Sequence, residues 1–460
     1  MINRRQFLQG CGAAAGISLL PMKGLFMPGA FAANTQHPVL VYLFLRGGMD
    51  GLHLMPPASG TERVAYESAR SNLAIPTNRL RPIQGISNWA FHPRLGGGRA
   101  DAIGAPVRGL HRLFEQGRVA VVQGTGMPQV VNRSHFETQA FVDLGTPGDK
   151  TTTSGWLTRF AEQATNWPSP LISSQFAFTG AQPLALRGAN NALTSANAED
   201  FRLDGFHWSW NNSNSDLAGH TGAHTLASSL WQGEAGELGA AGLRTAEALE
   251  YMREIEFRLY NANSSPDGYQ PEGGANYPSN DIGTQLRHLA QLIKLDTGMV
   301  CASLDYGGWD THDAQGMPNP GNATHWDYFG ERLEPLSMAL EAFYQDLAGA
   351  SQGNLMDCVQ VVVLSEFGRR VRSNSSAGTD HGYGNLMMAL GAGVNGGLHG
   401  SFPGLDDLSL QDGQDLAVST DYRQVLAEAM VRRVGFDSNR LEAVFPGLGS
   451  YQALGIFQNA

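Results

Sequence analysis

Four polar clusters in this chain hold the residue types that could bind a cation or attack an ester. The first is Arg46-Gly47-Gly48-Met49-Asp50-Gly51. Its glycines allow a tight turn that exposes one carboxylate, or a turn in which Asp50 bonds its own backbone. The second is Asn132-Arg133-Ser134-His135-Phe136-Glu137. Ser134 and Glu137 fit the S-x-x-E capping box of a helix start, and a serine at a helix start beside a metal is also where a nucleophile is placed. The third is Gly307-Gly308-Trp309-Asp310-Thr311-His312-Asp313. Asp310 and His312 are a carboxylate and an imidazole of the kind Zn²⁺ takes together, unless they merely bond each other across a turn. The fourth begins at Ser365-Glu366-Phe367-Gly368-Arg369-Arg370 and resumes fourteen residues after Glu366 with Asp380-His381-Gly382. Glu366 closes an apolar run, so its charge must be solvated, bound to metal or paired, with Arg369 the obvious partner. Asp380 and His381 have the look of the Asp310 cluster.

Each cluster follows a run that reads as a strand: VLVYLFL (39–45), RVAVVQG (118–124), MVCASLDY (299–306) and CVQVVVLSEF (358–367), with a fifth run in LMMALGAG (386–393). Continuous apolar runs of this length suit strands covered on both faces. Helical patterns lie between them at 107–117, 281–296, 325–350 and 420–435. This alternation predicts an α/β fold with a mainly parallel central sheet and helices on both faces, and ligands at the strand ends. The stretch 190–280 reads instead as a helical and loop insertion covering one end of the sheet, with Trp208, Trp210 and Trp231 in it. No internal repeat is visible, and residues 33–460 read as one domain with that insertion.

Arg4-Arg5-Gln6-Phe7-Leu8 ahead of a short apolar stretch, with a small-x-small site at Ala30–Ala32, reads as a twin-arginine export signal over 1–32. The apolar stretch is too short and interrupted for a permanent membrane anchor. The expected location is periplasmic or secreted, with the twin-arginine translocase as a partner during export. The chain has 460 residues and a net charge of −11, and without residues 1–32 it has 28 basic and 42 acidic side chains. That balance disfavours a nucleic-acid partner. Cys301 and Cys358 each sit in an apolar run and have no metal-type spacing. They read as buried thiols, or as a bridge if their strands are neighbours.

Taken in order, these clusters resemble the alkaline phosphatase superfamily. More narrowly, LFLRGGMDGL, RSHFETQ, GGWDTHD, VVLSEFGRR and TDHGYGN resemble the DUF1501 family, exported bacterial proteins of unassigned function, over almost the whole mature chain. The superfamily resemblance implies Ser134 as nucleophile and Asp50 on the metal that holds it. It implies Asp310, His312 and His381 on a second metal, with Glu366 at the strand-end acidic position, and Asp380, next to His381, is a further candidate metal ligand. Phe367 stands where a further histidine ligand is expected, which leaves room for one ion or none. The implied cofactor is one or two divalent ions, zinc first, with Mg, Mn or Ca as other choices. Arg46, Arg133 and Arg369 are candidates to hold the anion, because a guanidinium fork fits its oxygens.

The leading function is an exported metal-dependent hydrolase or transferase acting on phosphate-type esters, less readily sulfate esters, of a small molecule or glycan. A mutase of the same superfamily is not separable from it by sequence. The alternative is a non-catalytic envelope protein with a degenerate metal site that binds a glycan or a protein partner.

Overall fold

The computed structural model describes residues 37–97, 106–164, 167, 172–200, 229–234, 236–253, 255–316 and 327–460. The export signal expected over 1–32, Trp208 and Trp210 lie outside them. The strands are β1 Val39–Leu45, β2 Arg81–Ile83, β3 Ile86–Phe91, β4 Val119–Gly126, β5 Gln175–Phe178, β6 Ala192–Thr194, β7 Cys301–Tyr306, β8 Val359–Leu364, β9 Arg369–Ser373, β10 Thr379–His381, β11 Asn385–Leu390, β12 Gly397–Gly400 and β13 Thr420–Asp421. The α-helices are α1 Gly51–Leu54, α2 Gly60–Ala69, α3 Gly109–Glu115, α4 His135–Leu144, α5 Trp156–Gln163, α6 Glu237–Arg253, α7 Asp281–Lys294, α8 Tyr328–Ala348, α9 Tyr422–Ala429 and α10 Leu441–Val444.

The main sheet runs β12-β4-β11-β8-β1-β7-β5-β6, with β13 also on β4. The fold is α/β with a mixed, mostly parallel sheet. Only β11 is reversed among these strands: it pairs antiparallel with both β8 and β4. The fifth apolar run, 386–393, supplies this antiparallel strand of a mostly parallel sheet. It turns back because no helix separates it from β8; the short β9–β10 ribbon fills the gap, and a parallel return needs a crossover of a dozen or more residues, usually helical.

Side chains along the central strands alternate between two cores. Val39, Val41, Leu43 and Leu45 of β1 join Val359, Val361 and Val363 of β8 against α7 and α8. Leu40, Tyr42 and Phe44 join Val362 and Leu364 against α4, α5, α9 and α10. A two-residue period with both faces apolar is what a helix-covered strand requires.

Residues from the expected insertion take part in this core. β6 forms the sheet edge, and Ala248, Met252, Ile255, Phe257 and Tyr277 pack in the α7/α8 layer. Trp231 lies against α6, where a Cβ on Gly242 would fall 2.2 Å from its indole ring. Its role there is packing. Cys301 and Cys358 are free thiols. Cys301 begins β7 and Cys358 immediately precedes β8, with β1 between those strands, so two strand spacings of about 4.8 Å separate their lines and exceed disulfide reach.

Several imidazoles are buried in the neutral form. Burial, reinforced by neighbouring Arg287, pushes His288 down to about 3. Burial also lowers His53 and His92. Each of these rings binds its proton more weakly in the folded than in the unfolded chain, so the stability contribution is complete above the unfolded value near 6.5. It is lost as pH falls from there towards the folded value. Urea unfolding is expected to show a loss of about 2 kcal/mol between pH 7 and pH 5 from His288 alone. His288→Gln should flatten the acid limb by that amount, and an unchanged limb contradicts the assignment.

Candidate metal centre

The clusters meet at the carboxyl-terminal edge of the parallel strands. β1 runs into Gly47, whose φ is +123° and where a Cβ would fall 2.5 Å from the backbone nitrogen of Asp310. Glycine therefore lets the β7 loop carrying Asp310 and His312 close onto the β1 loop. β4 leads to the start of α4, where His135 is the first helical residue. The β9–β10 ribbon pairs His381 with Arg369.

Three imidazoles point their Nε2 atoms at one carboxylate oxygen. Asp310 Oδ1 lies 3.2 Å from His135 Nε2, 3.1 Å from His312 Nε2 and 3.1 Å from His381 Nε2. The His312 and His381 Nε2 atoms are 2.8 Å apart. Ligand atoms of His135, Asp310 and His381 all lie within 4.8 Å of one another. Ligands about 2.0 Å from a tetrahedral ion sit about 3.3 Å from each other, so these separations would admit an ion, and those of about 3.1 Å also suit N–H···O hydrogen bonds.

The opposite nitrogens fix the tautomers. His381 Nδ1 donates to the Arg133 carbonyl at 2.7 Å, since a carbonyl can only accept. His135 Nδ1 lies 2.7 Å from Glu366 Oε1, and His312 Nδ1 lies 3.1 Å from Asp380 Oδ1. With its proton on Nδ1, each neutral ring turns an Nε2 lone pair towards Asp310. Three lone pairs and a carboxylate oxygen at this range repel unless positive charge lies among them. Outer carboxylates or carbonyls behind ligating imidazoles are the usual second layer of a zinc site. Protons can supply the same charge. Burial works against protonating His135, but Glu366 and Asp310 outweigh it and hold its pKa up. Burial alone would raise Asp310, yet Arg369, His381 and His135 hold it far below the carboxylate range. His381 is lowered, chiefly by burial.

Glu366 is not directed at the convergence point. It is buried, with Oε1 accepting from His135 Nδ1, Gln139 Nε2 and Gly47 N, and Oε2 accepting from Ser365 Oγ. These bonds lower its pKa despite burial, which pushes the other way. Its expected place as a ligand is corrected to orienting His135. Asp380 likewise orients His312 and accepts from Asn374 Nδ2 at 3.2 Å.

Asp50 is the larger departure. Its carboxylate is 1% exposed and accepts two bonds from Arg70, at 2.6 and 3.0 Å. It also accepts from Gln315 Nε2 at 2.7 Å and from His53 N as the cap of α1. A guanidinium therefore stands where the sequence reading put an ion.

The three anion-binding candidates are also engaged. Arg46 pairs with Asp143 and Asp305 and lies over the Phe44 ring. Arg133 pairs with Asp412 and buried Asp415. Arg369 is fully buried and bonds Gly47 O, Gly48 O, Trp309 O, Thr379 O and Asp310 Oδ1, joining three loops. Arg369 has Nε, Nη1 and Nη2 all engaged and is scaffold, whereas Arg46 and Arg133 are each held by two carboxylates.

The capping box at Ser134 does not form. Ser134 makes no side-chain cap bond, its N–H goes to Asn132 Oδ1, and Glu137 binds Lys150 and Asn132. In the chain Ser134 lies between Arg133, whose carbonyl accepts from His381 Nδ1, and His135. His135 is the residue the sequence reading left without a role. Phe367, in the place of the missing histidine, packs on His135 and His381 at ring distances of 4.8 and 5.0 Å.

The family model for DUF1501, described as a protein of unknown function, matches residues 206–449, more than half of the chain. The chain belongs to the DUF1501 family. The match takes in Asp310, His312, Glu366, Asp380 and His381 of this DUF1501 protein, while Asp50, Ser134 and His135 precede it. No curated protein matches the sequence. Among the described residues, no helix is long and apolar enough to cross a membrane.

Breaking the Asp50–Arg70 pair from one side leaves a buried, unpaired guanidinium. Asp50→Ala is expected to cost about 3–5 kcal/mol in urea unfolding of EDTA-treated protein. A carboxylate serving only as a cation ligand would cost nothing under those conditions.

Proposed function

We propose that His135, Asp310 and His381, with His312, hold one divalent cation, and that this is an exported, metal-dependent hydrolase or transferase of phosphate-type esters with an alkaline phosphatase-like fold. The supporting observation is the convergence of three Nε2 atoms on Asp310 Oδ1, each ring held from behind by an acceptor. Imidazole nitrogens with one carboxylate oxygen suit zinc best. A bound ion would polarise an ester oxygen and favour a nucleophile at neutral pH.

The chain's own groups then have definite tasks. In this reading Ser134, the N-cap of ten-residue α4 and the neighbour of His135, supplies the nucleophilic hydroxyl, and the helix start would favour the negative charge that develops there. Glu366, Asp380 and the Arg133 carbonyl keep the imidazoles in the required tautomers. Arg369 fixes the rotamer of Asp310. The superfamily resemblance supports a phosphate-type ester of a small molecule or glycan, and Arg4-Arg5 supports twin-arginine export to the periplasm or beyond. The second reading is a cation-holding envelope protein without turnover, favoured by the pairing of Asp50 with Arg70.

Elemental analysis of purified protein should find about one zinc per chain, lost in Asp310→Ala and His135→Ala. Phosphate mono- and diester hydrolysis should fall by about a thousandfold or more in Ser134→Ala with the metal retained. Metal without hydrolysis in the parent protein establishes the binding-only reading, and absence of metal overturns both.

A further inference from the structure

A buried amide connects the two segments that carry the cation ligands. Gln315 is fully buried, and its Oε1 accepts from Thr311 Oγ1 at 2.9 Å and from Thr379 Oγ1 at 2.5 Å. Its Nε2 donates to Asp50 Oδ2 at 2.7 Å. This orientation is forced, because a carboxylate can only accept: the amide NH₂ must face Asp50, so the carbonyl faces the two hydroxyls and both must donate. Thr311 stands between Asp310 and His312. Thr379 immediately precedes Asp380 and His381. Their backbones also meet, with Thr379 N donating to Thr311 O at 3.0 Å.

Asp50 holds the other end of Gln315 and is itself held by Arg70, whose guanidinium also donates to the Val371 and Arg370 carbonyls next to the β9–β10 ribbon. The chain Arg70, Asp50, Gln315, then Thr311 and Thr379, is buried throughout. A polar chain with every partner in place rigidifies what it touches, and here its far ends are the two ligand-bearing loops.

We infer that Gln315 is a positioning residue for the cation site, and that Asp50 and Arg70 act through it to set the spacing of Asp310 and His312 against His381. This rests on the cation-binding reading above. It gives Asp50 a part in the site without ligation and Arg70 a part without contact. Losing the amide, or either hydroxyl, removes the side-chain link between the two ligand segments and leaves their backbone bonds and every ligand in place.

The test is Co²⁺ titration of the EDTA-treated full-length protein, following visible absorption and affinity, with thermal midpoints of the cation-free forms alongside. Thr379→Val keeps the shape and loses the hydroxyl, whereas Thr379→Ser keeps the hydroxyl. Gln315→Leu and Thr379→Val are expected to weaken Co²⁺ binding by about 10- to 100-fold and shift its absorption bands, with Thr379→Ser close to the parent. If Gln315→Leu does not fold, the Thr379 pair decides. Parent-like affinity and spectrum in Thr379→Val overturn the positioning role while the cation reading stands. A parent protein that takes up no Co²⁺ overturns the cation reading and this inference with it.

Discussion

Repulsion among like ends of dipoles governs this structure. Three imidazoles, each tied at Nδ1 to an acceptor, present lone pairs at Nε2 in the neutral form and N–H groups when protonated, and all three face the same oxygen of Asp310. Such a cluster persists only where positive charge enters it and where rigid surroundings prevent the rings from turning away. Arg369 supplies part of the charge from beneath at 2.6 Å. The remainder must come from protons or, in the proposed reading, from a divalent ion.

The surroundings are rigid because the supporting polar groups are buried and saturated. Glu366, Arg369, Asp50, Arg70 and Gln315 lie under the site with almost no exposure. Unpaired groups there would each be destabilising, so the pairing pattern has little freedom to change. The sheet contributes through direction: β1, β4, β7 and β8 run the same way, so their carboxyl-terminal loops open at one edge. The reversed strand β11 lets the β9–β10 ribbon fold back over that edge and deliver His381.

The central strands were legible because burial on both faces leaves an uninterrupted apolar run, and β1 spans the same residues in sequence and structure. Asp310, His312 and His381 were also legible, as imidazoles and a carboxylate beside glycines. His135 was not. At a helix start after Ser134 it reads as capping context, and only the approach of α4 to the end of β8 gives its ring a partner in Glu366, 231 residues away. The one local hint was Gln139, one turn later, which binds the same carboxylate oxygen. Asp50 looked like a ligand because its partner Arg70 has no spacing pattern that marks an ion pair. The ribbon β9–β10 was hidden by its charged residues, which follow neither strand nor helix period.

In the proposed site, imidazole nitrogens surround a metal ion at this edge of the sheet. X-ray absorption at the zinc edge of the zinc-loaded protein measures this most directly. The account predicts a first shell of nitrogen and oxygen at about 2.0–2.1 Å with the outer scattering of two or three imidazoles, diminished in His135→Ala. A shell of water and carboxylate oxygens without imidazole scattering would contradict it.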